Sequence, residues 1–190
     1  MTDLGAQVAA AAKLFRGAEL DFAIVGGLAV STRTEPRFTR DVDIAVALPD
    51  DATAERLIRH ARAEGYRASM LLEHDVAKRI ATVRLQSASG ILDLLFASSG
   101  IEDETVAEAE PLELLPGIVV PVARVPHLMA LKLLARDDAT RPQDHADLVR
   151  LRSVATAADR GRLAELVALI VERGYHRNRD LVALADEFLR

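Results

Sequence analysis

One stretch constrains this chain more than any other: FAIVGGLAVSTRTEPRFTRDVDIAV, residues 22–46. Phe22-Ala-Ile-Val25 is a short apolar run that reads as a strand and stops at Gly26-Gly27. From Leu28 to about Thr34 the pattern is that of a short helix. It must end before Glu35-Pro36, because a residue preceding proline avoids the helical region. Residues 40–48 then alternate, with Val42, Ile44 and Val46 on one face and Asp41 and Asp43 on the other. The expected unit is strand, glycine pair, helix and second strand, with 13 residues between Gly27 and Asp41.

Carboxylates at i and i+2 of a strand share a face, about 7 Å apart along the chain. Left bare they repel, and each loses hydration when the sheet packs. A hard divalent cation between them relieves both effects, and an oxygen donor set of this kind suits Mg²⁺. Paired glycines let a ligand approach the backbone closely, and N–H groups at a helix start attract phosphate. Taken singly, each half has a plainer reading: a tight turn for the glycines, a solvated face for the carboxylates. Their order and spacing together point to a metal–nucleotide site.

The rest of the sequence frames this unit. At 190 residues the chain suits one well-cored domain, or a domain with a helical appendage. A helix is expected over residues 3–18, another over 52–64 behind the Leu48-Pro49-Asp50-Asp51 turn, and a hairpin over 80–97 around SASG. A short helix near 101–108 and two brief strands around Pro116-Gly117 follow. About four helices are expected from Pro126 onward. The fold class is therefore α/β or α+β, a core over residues 1–124 with a helical region over 125–190 that packs on it and completes the site.

The chain has no cysteine, which excludes thiolate catalysis, disulfides and sulfur-based zinc sites. No membrane span and no basic leader are read, so the cytoplasm is the expected compartment. A net charge of −5 argues against a surface that grips nucleic acid throughout, and no DNA partner is expected.

The GG…DVD layout resembles the motif of the DNA polymerase β-type nucleotidyltransferase superfamily. Within it, GGLAVSTR…RFTRDVDIAV is similar to the AbiEii/AbiGii toxin branch, and LKLLARDDATRPQDHADL matches that branch's second signature. The resemblance spans roughly residues 20–150. It implies a mixed sheet flanked by helices and transfer of a nucleotidyl group from an NTP to a hydroxyl. By position, Asp41 and Asp43 would hold Mg²⁺, two ions with Mn²⁺ as a substitute, and Gly26 and Gly27 would lie at the triphosphate. Thr39 and Arg40 precede the DVD, Lys132 and Arg136 would meet phosphates, and Asp144 falls at a second essential carboxylate with Asp147 beside it. The acceptor implied is a tRNA 3′ end or a protein hydroxyl, with a cognate antitoxin as partner. Small aminoglycoside nucleotidyltransferases share the layout and form an alternative, as does a non-catalytic nucleotide-binding module of the same fold.

Asp93 interrupts the apolar run ILDLLFA, where an unpaired carboxylate would cost several kcal/mol. It is expected either to join Asp41 and Asp43 as third ligand or base, or to pair with Arg33 or Arg84. Lys132, centred in MALKLLAR, either snorkels over the core or serves phosphate together with Arg136, one turn on. The plainer reading of Asp144 is a cap on its helix after Pro142. His145 is read as a surface residue at the rim. In RGYHRNRDL the arginines 173, 177 and 179 could reach RNA or nucleotide, and the plainer reading is a loop in which Asn178 or Asp180 caps the last helix.

Overall fold

β-Branched and leucine-rich runs bury on both faces only in the middle of a covered sheet, and that is where the DVD segment sits. The structure, a computed structural model, describes residues 4–39, 41–137 and 142–189. In chain order the elements are α1 (Leu4–Ala18), β1 (Phe22–Val25), α2 (Gly26–Arg33), β2 (Val42–Val46), α3 (Asp51–Ala63), β3 (Arg67–Glu73), β4 (Ile80–Ser87) and β5 (Gly90–Leu95). These are followed by α4 (Glu102–Ala107), β6 (Glu110–Leu115), β7 (Ile118–Val122), α5 (Val125–Ala135), α6 (Pro142–Val154), α7 (Ala157–Glu172) and α8 (Leu181–Leu189).

The seven strands form one mixed sheet in the order β3-β4-β5-β2-β1-β7-β6. β2 runs antiparallel to β1 and parallel to β5, so its residues are paired on both sides. Val42, Ile44, Ala45 and Val46 are accordingly all buried. β1 continues the sheet through a parallel pairing with β7. α1 and α3 pack together over β4, β5 and β7, and α4 lies on β1 and β2. α2 bridges β1 and β2 to α5 and α6, and α7 and α8 pack on α5. Arg33, at the end of α2, donates to the carbonyls of Ala123 (3.1 Å) and Val122 (3.0 Å) and pairs with Glu110 (2.6 Å). It thereby fastens α2 to the far half of the sheet.

Three details depart from the expectations above. α2 begins at Gly26, so the glycines form its first turn rather than precede it. Asp41 stands just ahead of β2, with only Asp43 inside the strand. β3 has no counterpart among the expected elements: it is an edge strand, exposed or half-exposed along its whole length, and its alternation of burial stops at the adjacent, exposed Leu71 and Leu72. The 52–64 helix is found as α3, where Asp50 caps Thr53 N–H at 2.8 Å.

Candidate active site

The site forms where the parallel pair β2 and β5 meets the start of α2 and one side of α5. Register places Asp43 beside Asp93, and the Gly27 N–H donates to the Asp43 carboxylate. Gly26 has φ +64°, a backbone that only glycine adopts cheaply, and a Cβ there would lie 1.9 Å from Asp43 Oδ2. The glycine thus makes room for the carboxylate as well as shaping the turn. At Gly27 a Cβ would come within 2.5 Å of Arg37 Nη2. One glycine accommodates an acid and the other a base.

Asp43 is the electrostatic focus. Burial pushes its carboxyl up to about 7, Asp93 and Asp41 add repulsion, and Lys132 and the Gly27 N–H oppose the shift. Asp93, itself 8% exposed, is gripped by Arg84 through a fork of 2.8 and 2.7 Å. Of the partners considered from sequence, Arg84 is therefore the one found, and Arg33 is occupied elsewhere. The fork takes one acceptor position on each Asp93 oxygen. Among the described residues, no three acidic or imidazole side chains converge closely enough to hold a metal. Asp41 adds its charge to the crowding at Asp43, which a divalent cation held by the two would relieve. Asp93 could join them only while shared with Arg84.

Lys132 does not snorkel. Its Nζ lies 2.6 Å from Asp144 Oδ1 and 3.0 Å from Asp147 Oδ2. Asp147, wholly buried, also receives a guanidinium fork from Arg37 at 2.8 Å per bond, and Arg150 at 3.4 Å. These cations outweigh burial and hold the Asp147 carboxyl below its usual range, although burial itself pulls upward. Asp144 is 6% exposed, and its Oδ2 is buried with no hydrogen-bond partner among the described residues. Arg37 was not anticipated as a site residue; its partner lies 110 positions away, beyond any local pattern.

Thr39 Oγ1 lies 3.5 Å from the Asp41 carbonyl, at the limit of a hydrogen bond. Arg136 occupies the C-cap of α5 instead of its last turn. Arg40 lies outside the described residues. His145 is exposed. Asp180 accepts from the Ala183 N–H at 3.0 Å, the capping role expected for it.

Two spaces adjoin the pair. A cavity of about 320 Å³ is lined by Gly26, Asp43, Asp93, Lys132 and Asp144, among others. A wider cleft of about 1040 Å³ is lined by Thr39 and Asp41, with Leu28, Ile91 and Leu114 among its walls. Asp43 lines the first of these spaces and Asp41 the second.

Comparison with known proteins agrees with this architecture. Residues 12–190 match the family described as nucleotidyl transferase AbiEii toxin, Type IV TA system. The fold is similar to that of an antigenic nucleotidyltransferase-like protein from Paracoccidioides brasiliensis, at 16% identity over 96% of this chain and 92% of that one, with a TM-score of 0.56. It is also similar to ANT(2″)-Ia in complex with adenylyl-2″-tobramycin, at 19% identity over 88% of this chain and 98% of that one, with a TM-score of 0.53. These likenesses establish the nucleotidyltransferase fold. No curated protein matches the chain.

Proposed function

The chain belongs to the AbiEii nucleotidyl transferase toxin family, and from that premise we propose that it moves a nucleoside monophosphate from an NTP to a macromolecular hydroxyl in a Mg²⁺-dependent reaction. The observation that carries the reading is the crowding at Asp43, a carboxyl raised to about 7 between Asp93 and Asp41 and beside a glycine turn. A bound Mg²⁺ would supply charge neutralisation and polarisation at the α-phosphate. The chain's own groups bind and orient. Asp41 and Asp43 hold the cation, Lys132 meets the phosphates after exchanging an Asp144 contact for them, and the first turn of α2 offers backbone N–H groups.

In the transfer, the acceptor oxygen bonds to the α-phosphorus while the bond from phosphorus to the bridging oxygen breaks. The hydroxyl proton passes to one of the paired carboxylates and on to solvent, and pyrophosphate departs. The NTP occupies the 320 Å³ cavity, which Asp43 lines, and the acceptor approaches through the 1040 Å³ cleft, which Asp41 lines. The acceptor expected is the 3′ end of tRNA or a protein hydroxyl. A cytoplasmic toxin held in check by an antitoxin is the biological setting that family membership supports. The width of the cleft and the acidic Asp41 and Glu113 in its lining favour a second reading, transfer to a small polycationic acceptor.

The test incubates wild-type protein and the Asp41→Ala/Asp43→Ala variant with Mg²⁺ and each α-labelled NTP, offering total RNA, soluble protein or an aminoglycoside. Label in tRNA-sized RNA or a protein band, absent with the variant, is the expected result. Label on the aminoglycoside alone would select the second reading. Undiminished transfer by the variant would refute both.

A further inference from the structure

The lining of the 320 Å³ cavity also takes in Ser98, Ser99 and Arg177. There β5 gives way to the turn Ser98-Ser99-Gly100. Glu102, 5% exposed, pins that turn from beneath: Oε1 accepts from the Ser98 N–H (2.9 Å), the Ser99 N–H (2.8 Å) and the Ser99 hydroxyl (2.9 Å), and Oε2 from the Gly100 N–H (2.9 Å). With its N–H held below, Ser98 offers its carbonyl to Arg177, whose Nη2 donates at 3.0 Å. Arg177 and Ser98 both line the cavity. Leu72 and Leu95 from the sheet and Leu128, Leu131 and Ala135 from α5 line the same space as apolar surface.

The loop that delivers Arg177 is fastened on both sides. Arg173 pairs with Glu104 at 2.7 Å, and Arg179 donates to the carbonyls of Leu133 (3.0 Å) and Leu134 (2.9 Å) at the end of α5. Arg177 and Asn178 hold φ of +52° and +56°, a conformation costly for non-glycine residues and sustained here by those anchors. Their bonds place one guanidinium in the lining of a cavity with apolar walls.

We infer that Arg177 contacts the base of the bound nucleotide, its guanidinium donating to carbonyl or ring-nitrogen acceptors on the base edge, and so governs which base is accepted. This rests on the reading that the cavity holds the NTP. Reach agrees: Ser98 lies five residues beyond Asp93, no more than about 17 Å of chain. That is the scale of a nucleotide laid from its phosphates to its base. Chemistry agrees too, because apolar walls suit a planar ring while the glycines, Lys132 and the carboxylates serve the charged end. Arginine donors are fixed in direction, so they discriminate between base edges where an ammonium would not.

The experiment measures binding of the four NTPs and of inorganic tripolyphosphate, with Mg²⁺, to the full chain and to Arg177→Met, Arg177→Lys and Ala135→Phe. Arg177→Met should weaken the best-bound NTP about tenfold or more and narrow the spread among bases, with tripolyphosphate unchanged. Arg177→Lys should recover part of the affinity and none of the discrimination. Ala135→Phe, which thickens an apolar wall of the cavity, should weaken all four NTPs and leave tripolyphosphate alone. Melting temperatures accompany each variant, and Arg177→Lys carries the test if Arg177→Met does not fold.

Equal losses for NTPs and tripolyphosphate would make Arg177 a phosphate ligand and overturn the inference, as would an unchanged spread among the bases. If wild type transfers label while Arg177→Met keeps its base preference, the base contact is wrong and transfer stands. If Arg177 controls binding preference in a protein that transfers nothing, the transfer reading fails and the base contact stands.

Discussion

Replacing Asp43 by asparagine keeps the shape of the side chain and removes its charge, so it isolates the cost of ionising a carboxyl in this position. In the metal-free protein that carboxyl titrates near 7, against 3.8 for an unhindered aspartate. The raised value means that the folded state binds the proton more tightly than the unfolded state. Stability is therefore greatest at low pH with respect to this group and declines as pH rises from about 4 to about 7. Between pH 5 and pH 8 roughly two units of that window are crossed, about 3 kcal/mol without screening. Solvent reaches the half-buried side chain, which reduces the effect to about 1–2 kcal/mol. For a chain of this size that is a change of about 3–6 °C in Tm. Thermal melts in EDTA should show Asp43→Asn gaining on wild type by this amount as pH goes from 5 to 8. Mg²⁺ should raise the wild-type Tm at pH 8 and leave the variant unmoved. A wild type and variant that keep a constant difference across the pH range would show that Asp43 carries no such penalty. The cation argument would then lose its basis.

Other perturbations test neighbouring parts of the site. Gly26→Ala combines a disfavoured φ of +64° with a Cβ 1.9 Å from Asp43 Oδ2, and should cut transfer on the order of 100-fold in a protein that still folds, measured by label incorporation beside a melting curve. Arg84→Met strips Asp93 of its fork and leaves a largely buried carboxylate alone. Because Arg84 is itself 38% exposed, the loss expected is about 1–2 kcal/mol, read as a Tm lowered by about 3–6 °C.

Much of the fold is legible in the sequence because its decisive signals are local. The apolar run at Phe22–Val25, the alternation through Val42, Ile44 and Val46, and the cap at Asp50 each specify their element within a few residues. Asp93 is legible as an anomaly, a charge in an apolar strand that must find a partner, and Arg84 was one of two that could serve. β3 is weakly marked, since Ala68, Met70 and Leu72 fall at a strand period that the adjacent Leu71 blurs, and none of the seven residues is buried. The fork between Arg37 and Asp147 is hidden for a different reason. It joins a loop after α2 to a turn of α6, and only the tertiary fold brings the two together. The one clue is Asp147 preceding Leu148, an acid on the buried side of a helix. The binding roles expected of Thr39 and Lys132 rest on resemblance to a family; spacing alone does not assign them.

The shared carboxylate of Asp147 has a consequence for how this site can change over time. One buried acid answers to Arg37, Lys132 and Arg150, and Lys132 in turn answers to Asp144. Neutralising any single member leaves the others with unbalanced charge around a buried carboxylate, so effects at these positions cannot add independently. Lineages that alter position 37 must compensate at 147 or at one of its other partners. The three elements that supply these residues, the loop after α2, α5 and α6, are thereby bound to drift together or not at all.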